Sequence, residues 1–199
     1  MVYKLGLIST HSTGKTTTAH LVAGELKKKG FRVRVISEVA TEAKETGKVI
    51  NQNTKLLDQA WILLTQARYE LEAEMAGYDI IICDRTVHDN YCYLENSCGF
   101  NKHYYSFVIS HSKEHPYKIL YRIPITSKPQ QDSIRAISVE FQILIDNKLT
   151  EYLEKEEINY IQLPIPIDED PERNTWVKTI VNKTLSDLDA FSKYNIESE

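Results

Sequence analysis

At 199 residues, 42% of them hydrophobic, the chain is sized for one domain with a substantial core. Its 24 basic and 28 acidic side chains leave a formal charge of -4, which argues against the broad positive face that nucleic-acid binding needs. The longest apolar runs, such as "AWILL" and "IIIC", fall far short of the roughly 18 to 20 residues that span a bilayer. Cys83, Cys92 and Cys98 form no C-x-x-C pair that would suggest a zinc site or a disulfide framework. The first residues enter a strand rather than a signal sequence, so a cytoplasmic protein with reduced thiols is expected, with no membrane partner.

"YKLGLI" (Tyr3 to Ile8) reads as a short buried strand, followed by a helix with Ala19, Val22, Ala23 and Leu26 on one face and Gly30 as its C-terminal cap. "FRVRVIS" (Phe31 to Ser37) is a second strand, and "EVATEAKETG" after it has helical character. A long helix is expected in "NTKLLDQAWILLTQARYELEAEMAG", its stripe formed by Leu57, Ala60, Trp61, Leu64, Ala67 and Leu71. "YDIIICD" (Tyr78 to Asp84) is a third strand with an unbroken apolar centre, as in a parallel sheet covered on both faces. "YKILYRI" (Tyr117 to Ile123) and "NYIQL" (Asn159 to Leu163) supply a fourth and a fifth. Between them a helix is expected from about Ser133 to Glu156, with Ile137, Phe141, Leu144 and Tyr152 on one stripe. The aromatic-rich stretch from Tyr91 to Phe107 reads as core and pocket wall, because basic residues are sparse within it. "ITSKPQQDS" (Ile125 to Ser133) is a polar loop and a candidate lid, about 125–136 in all. Residues 1–191 are expected to form one domain, and "SKYNIESE" (192–199) a frayed tail.

Between the first strand and first helix stands Ser9-Thr10-His11-Ser12-Thr13-Gly14-Lys15-Thr16, the pattern G-x-x-x-x-G-K-[ST] with Ser9 in place of the first glycine. In such a loop successive N–H groups and a helix N-terminus surround phosphates, so Ser9 through Thr17 are the expected nucleotide-binding residues. Lys15 would neutralise the β and γ phosphates, and Thr16 would ligate magnesium. His11 occupies an unspecified position of the motif. The first position needs a small residue compatible with a tight turn, which serine satisfies.

Ligands of open α/β sheets bind at the carboxyl ends of the strands. There the second strand ends in Ser37-Glu38 and the third in Asp84-Arg85-Thr86. Asp84 suits magnesium, Arg85 an anionic or polar substrate group, and Glu38 proton abstraction from a hydroxyl, the last weighed against a plain helix-start acid. Arg135, beside Asp132 after the lid loop, is the candidate for charge neutralisation on closure. His111 and His115 share i, i+4 spacing but lack the acidic partner of a metal motif.

The segments "STGKTTTAHLVAGEL", "VISEVATEAKETG", "LLDQAWILLTQARYELEAE", "DIIICDRTVHDNYCYLE" and "DSIRAISVEFQILIDNKLTEYL", in that order, resemble small P-loop kinases of the nicotinamide riboside kinase (NadR-type) lineage, grouped with AAA-like ATPase domains. Deoxynucleoside kinases are more distantly similar. The resemblance implies an α/β three-layer sandwich with a mostly parallel five-stranded sheet, helices on both faces and a short lid. The expected cofactors are ATP, with GTP the less favoured alternative left open, and Mg2+; a homodimer is left open. It also implies that Glu38 activates the acceptor hydroxyl, that Arg85 is the substrate-side arginine, and that Gln66 can read a base or its equivalent. The family lid pattern D-G-x-R matches with Arg135 as its arginine and Ser133 in place of glycine. The activity implied is γ-phosphate transfer to a small hydroxylated acceptor of nucleoside, nucleotide or nicotinamide riboside type. The alternative is an ATPase or nucleotide-operated switch with a macromolecular partner.

Overall fold

A computed structural model describes residues 2–48, 54–126, 138–166 and 174–196. The elements run β1 (Tyr3–Ile8), α1 (Lys15–Lys28), β2 (Val33–Ile36), α2 (Val39–Glu45), α3 (Leu56–Met75), β3 (Ile80–Asp84), α4 (Val87–Cys98), α5 (Lys102–Glu114), β4 (Ile119–Arg122), α6 (Val139–Lys155), β5 (Ile161–Gln162) and α7 (Asn174–Ile196). The five strands form one sheet in the order β2-β3-β1-β4-β5, every pair parallel. The expected α/β sandwich is therefore present, with all five expected strands, each of the last four shorter than its apolar run.

The alternation of side chains along each strand assigns the two core layers. Ile80 and Ile82 join Tyr3, Leu5 and Leu7 against Ala19, Val22, Ala23 and Leu26 of α1 and Trp176, Val177 and Ile180 of α7. Ile81 and Cys83 face the other way, onto Ala73 of α3. Ile8 and Leu120 meet Leu63 and Ala67 of α3, Tyr91 and Leu94 of α4, Val108 of α5 and Leu149, Tyr152 and Leu153 of α6. Gly6 in the central strand is required by close approach: a Cβ there would lie 2.5 Å from Thr86 Cγ2 and 2.7 Å from Leu120 Cδ2. The first helix ends as its sequence predicts. Gly30, at φ 94, donates to Lys27 O, while Phe31 N–H reaches Leu26 O, the paired bonds of a Schellman turn.

Three expectations need correction. The stripe expected on α3 holds only in part: Ala60 and Ala67 are buried, but Leu57 and Leu64 are exposed, and Gln59, Ile62, Leu63, Gln66, Glu70 and Ala73 are buried, because the helix turns polar side chains onto a buried ionic cluster. On α6, Leu144 is exposed and Ile145 and Leu149 replace it in the core. That helix starts at Val139, capped by the Ser138 hydroxyl accepting from Phe141 N–H, rather than at Ser133. The last helix, α7, runs from Asn174 to Ile196. The lid from Ser127 onward, with Asp132, Ser133, Arg135 and Ile137, lies outside the described residues. Among the described residues, no helix is long and apolar enough to cross a membrane.

Candidate active site

The order of strands places a switch point beside β1, where the chain leaves for β2 on one side and later returns to β4 on the other. The crevice outside that point is where an open α/β sheet binds ligands. Ser9 to Gly14 form the loop across it. Ser9 is buried, and its hydroxyl donates to Ile123 O at 2.8 Å, tying the loop to the end of β4. Positive φ falls instead on Ser12 (56°) and Gly14 (86°). Ser9 is thus in a conformation open to any residue, so the missing glycine costs nothing at that position, and its side chain adds an anchor. Gly14 is the loop position where glycine matters, since it takes the left-handed conformation at the N-cap of α1.

Lys15 folds back over the loop, buried, with Nζ donating to Thr10 O, to Ser9 O at 3.3 Å and to Thr13 Oγ1 at 3.4 Å. Burial, and then the positive field of Arg85, push its pKa down from 10.5 to about 7. Thr16 Oγ1 donates to Asp84 Oδ2 at 2.5 Å, across 68 residues of chain. Burial raises the Asp84 carboxyl above its usual range, against the opposing pull of Lys15. Its Oδ1 is buried and has no hydrogen-bond partner. Thr17 is exposed on α1. His11 sits under Tyr93, with Nδ1 to Oη at 3.1 Å, and stacks on Phe141 at 5.8 Å between ring centroids.

One residue beyond Asp84, Arg85 has φ 104, a conformation L-residues rarely adopt, and its side chain is almost fully buried. Such strain persists only where surrounding contacts impose it, and it clusters at functional sites. Those contacts are explicit. Gln66 Nε2 donates to Arg85 O at 3.0 Å, Arg85 Nε donates to Glu38 Oε1 at 2.9 Å, Nη1 lies 3.8 Å from Asp89 Oδ2, and the guanidinium covers the Tyr93 ring at 4.7 Å. The neighbouring carboxylate of Glu38 outweighs burial and holds the guanidinium more firmly protonated than usual. Glu38 stands at the N-cap of α2 but makes no capping hydrogen bond from its side chain. Its side chain pairs with Arg85. Thr86 and Asp89 close a capping box on α4, with Asp89 Oδ1 accepting from Thr86 N at 2.6 Å and Oγ1 at 2.7 Å.

The structure therefore brings together the loop, Glu38, Asp84, Arg85 and Gln66. The Gln66 amide nitrogen is spent inside the protein, on Glu70 at 2.9 Å and on Arg85 O, and its Oε1 is buried without a hydrogen-bond partner. Sequence reasoning missed Asp89, Tyr93 and Gln142. Asp89 was visible in the Thr-x-x-Asp spacing of a capping box. Tyr93 and Gln142 carried no local signal, although Gln142 Nε2 reaches across the fold to His11 O at 2.8 Å. Among the described residues, no group of three or more His, Cys, Asp or Glu side chains could hold a metal ion; His111 and His115 instead face Glu70 and Glu74.

The sequence matches the AAA domain family over residues 6–172. The chain belongs to that family. Among solved structures, it resembles NadR protein in complex with NAD and AMP-PNP (TM-score 0.63, 15% identity, covering 82% of this chain and 44% of that one). It also resembles deoxyadenosine kinase from M. mycoides with dCMP and dCDP bound (0.61, 17%, covering 92% and 99%). Thymidylate kinase from Ehrlichia chaffeensis is similar at 0.63 and 13%, covering 92% and 98%. At these identities the likeness establishes the fold. The chain spans under half the length of that NadR chain. No curated protein matched the sequence.

Proposed function

We propose that this protein is an ATP- and magnesium-dependent phosphotransferase that moves a γ-phosphate to a small hydroxylated acceptor of nucleoside, nucleotide or nicotinamide riboside type. The observation that carries this is the buried, backbone-strained Arg85 paired with Glu38 at the mouth of a phosphate loop. A hydrolytic switch needs a loop and a metal site; a strained arginine bound to a carboxylate beside them is an arrangement for a second, polar substrate. The names of the similar structures, a deoxyadenosine kinase and a thymidylate kinase among them, support the same reading.

In this scheme the backbone N–H groups of Thr10 to Lys15 bind the β and γ phosphates, and Lys15 returns to its charged form against them. Asp84 and Thr16 fit a magnesium ion: one carboxylate oxygen is buried and unpartnered, and the hydroxyl is already hydrogen-bonded to the other. When bound, the ion supplies charge neutralisation at the phosphate oxygens. Glu38 accepts the proton of the acceptor hydroxyl as that oxygen bonds to the γ-phosphorus and the bond to the ADP oxygen breaks. Arg85 holds Glu38 and the acceptor in register. Arg135 is proposed as the residue that neutralises charge on the transferring phosphoryl.

A γ-phosphate transfer screen over nucleosides, nucleotides and nicotinamide riboside, with Lys15→Ala as control, tests the proposal. Acceptor-stimulated turnover is expected. Nucleotide binding with hydrolysis indifferent to every acceptor would give the function to an ATPase or switch.

A further inference from the structure

A cavity of about 500 Å3 opens at the amino ends of β4 and β5, on the edge of the sheet away from the phosphate loop. The loop is tied to Ile123 O, and the four residue steps from Ile119 to Ile123 set the cavity about 13 Å from that anchor along the strand. The volume is that of a small-molecule site. Ile109 of α5, Leu120 of β4 and Ile158 before β5 give it apolar walls. The Tyr117 ring adds to them, while its hydroxyl stays in the core, donating to Glu70 Oε1 at 2.6 Å and accepting from Val87 N–H at 3.1 Å.

The most buried residue of the lining is His88, only 3% exposed. Its Nδ1 lies 3.1 Å from Tyr152 Oη, and its ring is tilted against Tyr117 at 5.6 Å between centroids. Burial pushes its pKa down to about 4, so the ring is neutral near pH 7. Nε2 has no hydrogen-bond partner among the described residues, and it is not one of the polar atoms sealed from solvent. It opens on the cavity, and a ring nitrogen buried this deeply calls for a partner there.

The rim carries charge. Lys113, in the last turn of α5, and Lys118 both stand exposed on it. The carboxylate in the wall, Glu156, is already answered by the Tyr105 hydroxyl and by Lys155 Nζ at 3.5 Å. The carbonyl ends of α5 and α6 reach the same rim, each with roughly half a negative charge, so the two ammonium groups leave about one positive charge. That balance suits a monoanion better than a phosphate.

We propose that this cavity is a second ligand site, which takes a small amphipathic carboxylate: an apolar body against Tyr117 and Leu120, a hydroxyl at Nε2 of His88, and the carboxylate between Lys113 and Lys118. A hydroxyl suits His88 because it pairs with Nε2 as donor or acceptor, whichever role Tyr152 leaves to that nitrogen. The site is separate from those for nucleotide and acceptor, and it stands whatever the phosphate loop transfers.

The probe is 4-hydroxyphenylacetate, compared with 4-methylphenylacetate, which lacks the hydroxyl, with 4-hydroxyphenylacetamide, which lacks the charge, and with tyramine, which reverses it. Binding is followed by calorimetry and by amide NMR with an ATP analogue filling the phosphate loop. The parent compound should bind and shift the amides of Val87, His88, Ile109 and Ser112. The methyl analogue should bind about tenfold more weakly, because it leaves Nε2 unpaired. The acetamide should lose up to about fivefold at low salt, since exposed charges give little more, and tyramine should bind more weakly still. Ile109→Trp, which fills the cavity from a half-buried position, should abolish binding and leave affinity for the ATP analogue unchanged. In Lys113→Glu with Lys118→Glu, both changes on the surface, tyramine should overtake 4-hydroxyphenylacetate; this variant decides if Ile109→Trp does not fold. Absence of binding by the parent compound, equal binding of its methyl analogue, or a charge order indifferent to the two lysines overturns the inference. Binding that survives Ile109→Trp and shifts Glu38 and Arg85 instead belongs to the acceptor pocket and overturns it too. None of these outcomes bears on the phosphotransferase reading, which the transfer screen decides separately.

Discussion

Replacing Lys15 with Met should flatten the pH dependence of stability. In the fold the Lys15 ammonium is buried against neutral carbonyls and a hydroxyl, with Arg85 adding positive charge, and its pKa is pushed down to about 7 from the 10.5 it keeps when unfolded. Below pH 7 the group is charged in both states and the full burial penalty is present. Between about 7 and 10.5 the unfolded chain binds more protons than the folded one, so stability rises with pH; above that range nothing further is gained. At roughly 1.4 kcal/mol per unit the whole rise is on the order of 5 kcal/mol, and by pH 9 about 2 to 3 kcal/mol of it should be visible. Other groups titrate in this interval, so the quantity to measure is the difference between wild type and Lys15→Met in urea unfolding, from pH 6.5 to pH 9.5. A difference that stays level, or moves in favour of the Met variant as pH rises, would refute the reasoning. The same shift predicts that triphosphate binding at pH 8 takes up close to one proton, read as a dependence of binding heat on buffer ionisation.

Three further outcomes follow from single contacts. Glu38→Gln should lower acceptor phosphorylation by about 10² or more while leaving ATP affinity nearly unchanged, because the amide keeps the place of the Arg85 partner but takes no proton; equal rates would remove Glu38 as the base. Ser9→Gly restores the motif yet should destabilise the protein by about 1 kcal/mol, since it deletes the bond to Ile123 O and loosens a residue with no need of positive φ; a rise in melting temperature would contradict this. Gly6→Ala should cost about 1 to 3 kcal/mol in chemical unfolding, and Thr86→Ser, which removes the methyl 2.5 Å from the new Cβ, should recover part of it. No recovery in that double variant would place the strain elsewhere.

What the sequence showed plainly was whatever repeats along the chain. The apolar runs around Leu5, Ile81 and Leu120 could only be buried strands, and the spacing of Ala19, Val22, Ala23 and Leu26 laid one helix face directly on the sheet. Residues following a strand also declared themselves, because the carboxyl ends of parallel strands share one crevice; Glu38, Asp84 and Arg85 could be placed there before any contact was known. What did not show was whatever two distant segments agree upon. Tyr93 covers Arg85, and Gln142 reaches His11 from the far side of the fold, and neither spacing nor composition marks either one.

The stripe on α3 is the instructive case, because there the usual inference holds for Ala60 and Ala67 and fails for Leu57 and Leu64. Leu57 and Leu64 are apolar and exposed, while Gln66 and Glu70 are polar and buried. A periodicity argument assigns burial to hydrophobic side chains and treats a buried carboxylate as an error. Here the carboxylate is compensated by Lys4 on the central strand, by Tyr117 and by Gln66, each from a different part of the chain, so its burial is decided only when the fold is complete. Breaking such a cluster is costly and building it adds little net stability, so its retention calls for a reason other than holding the helix in place. Support for the strained backbone at Arg85 supplies one: Gln66 Nε2, bonded to Glu70, also donates to the Arg85 carbonyl.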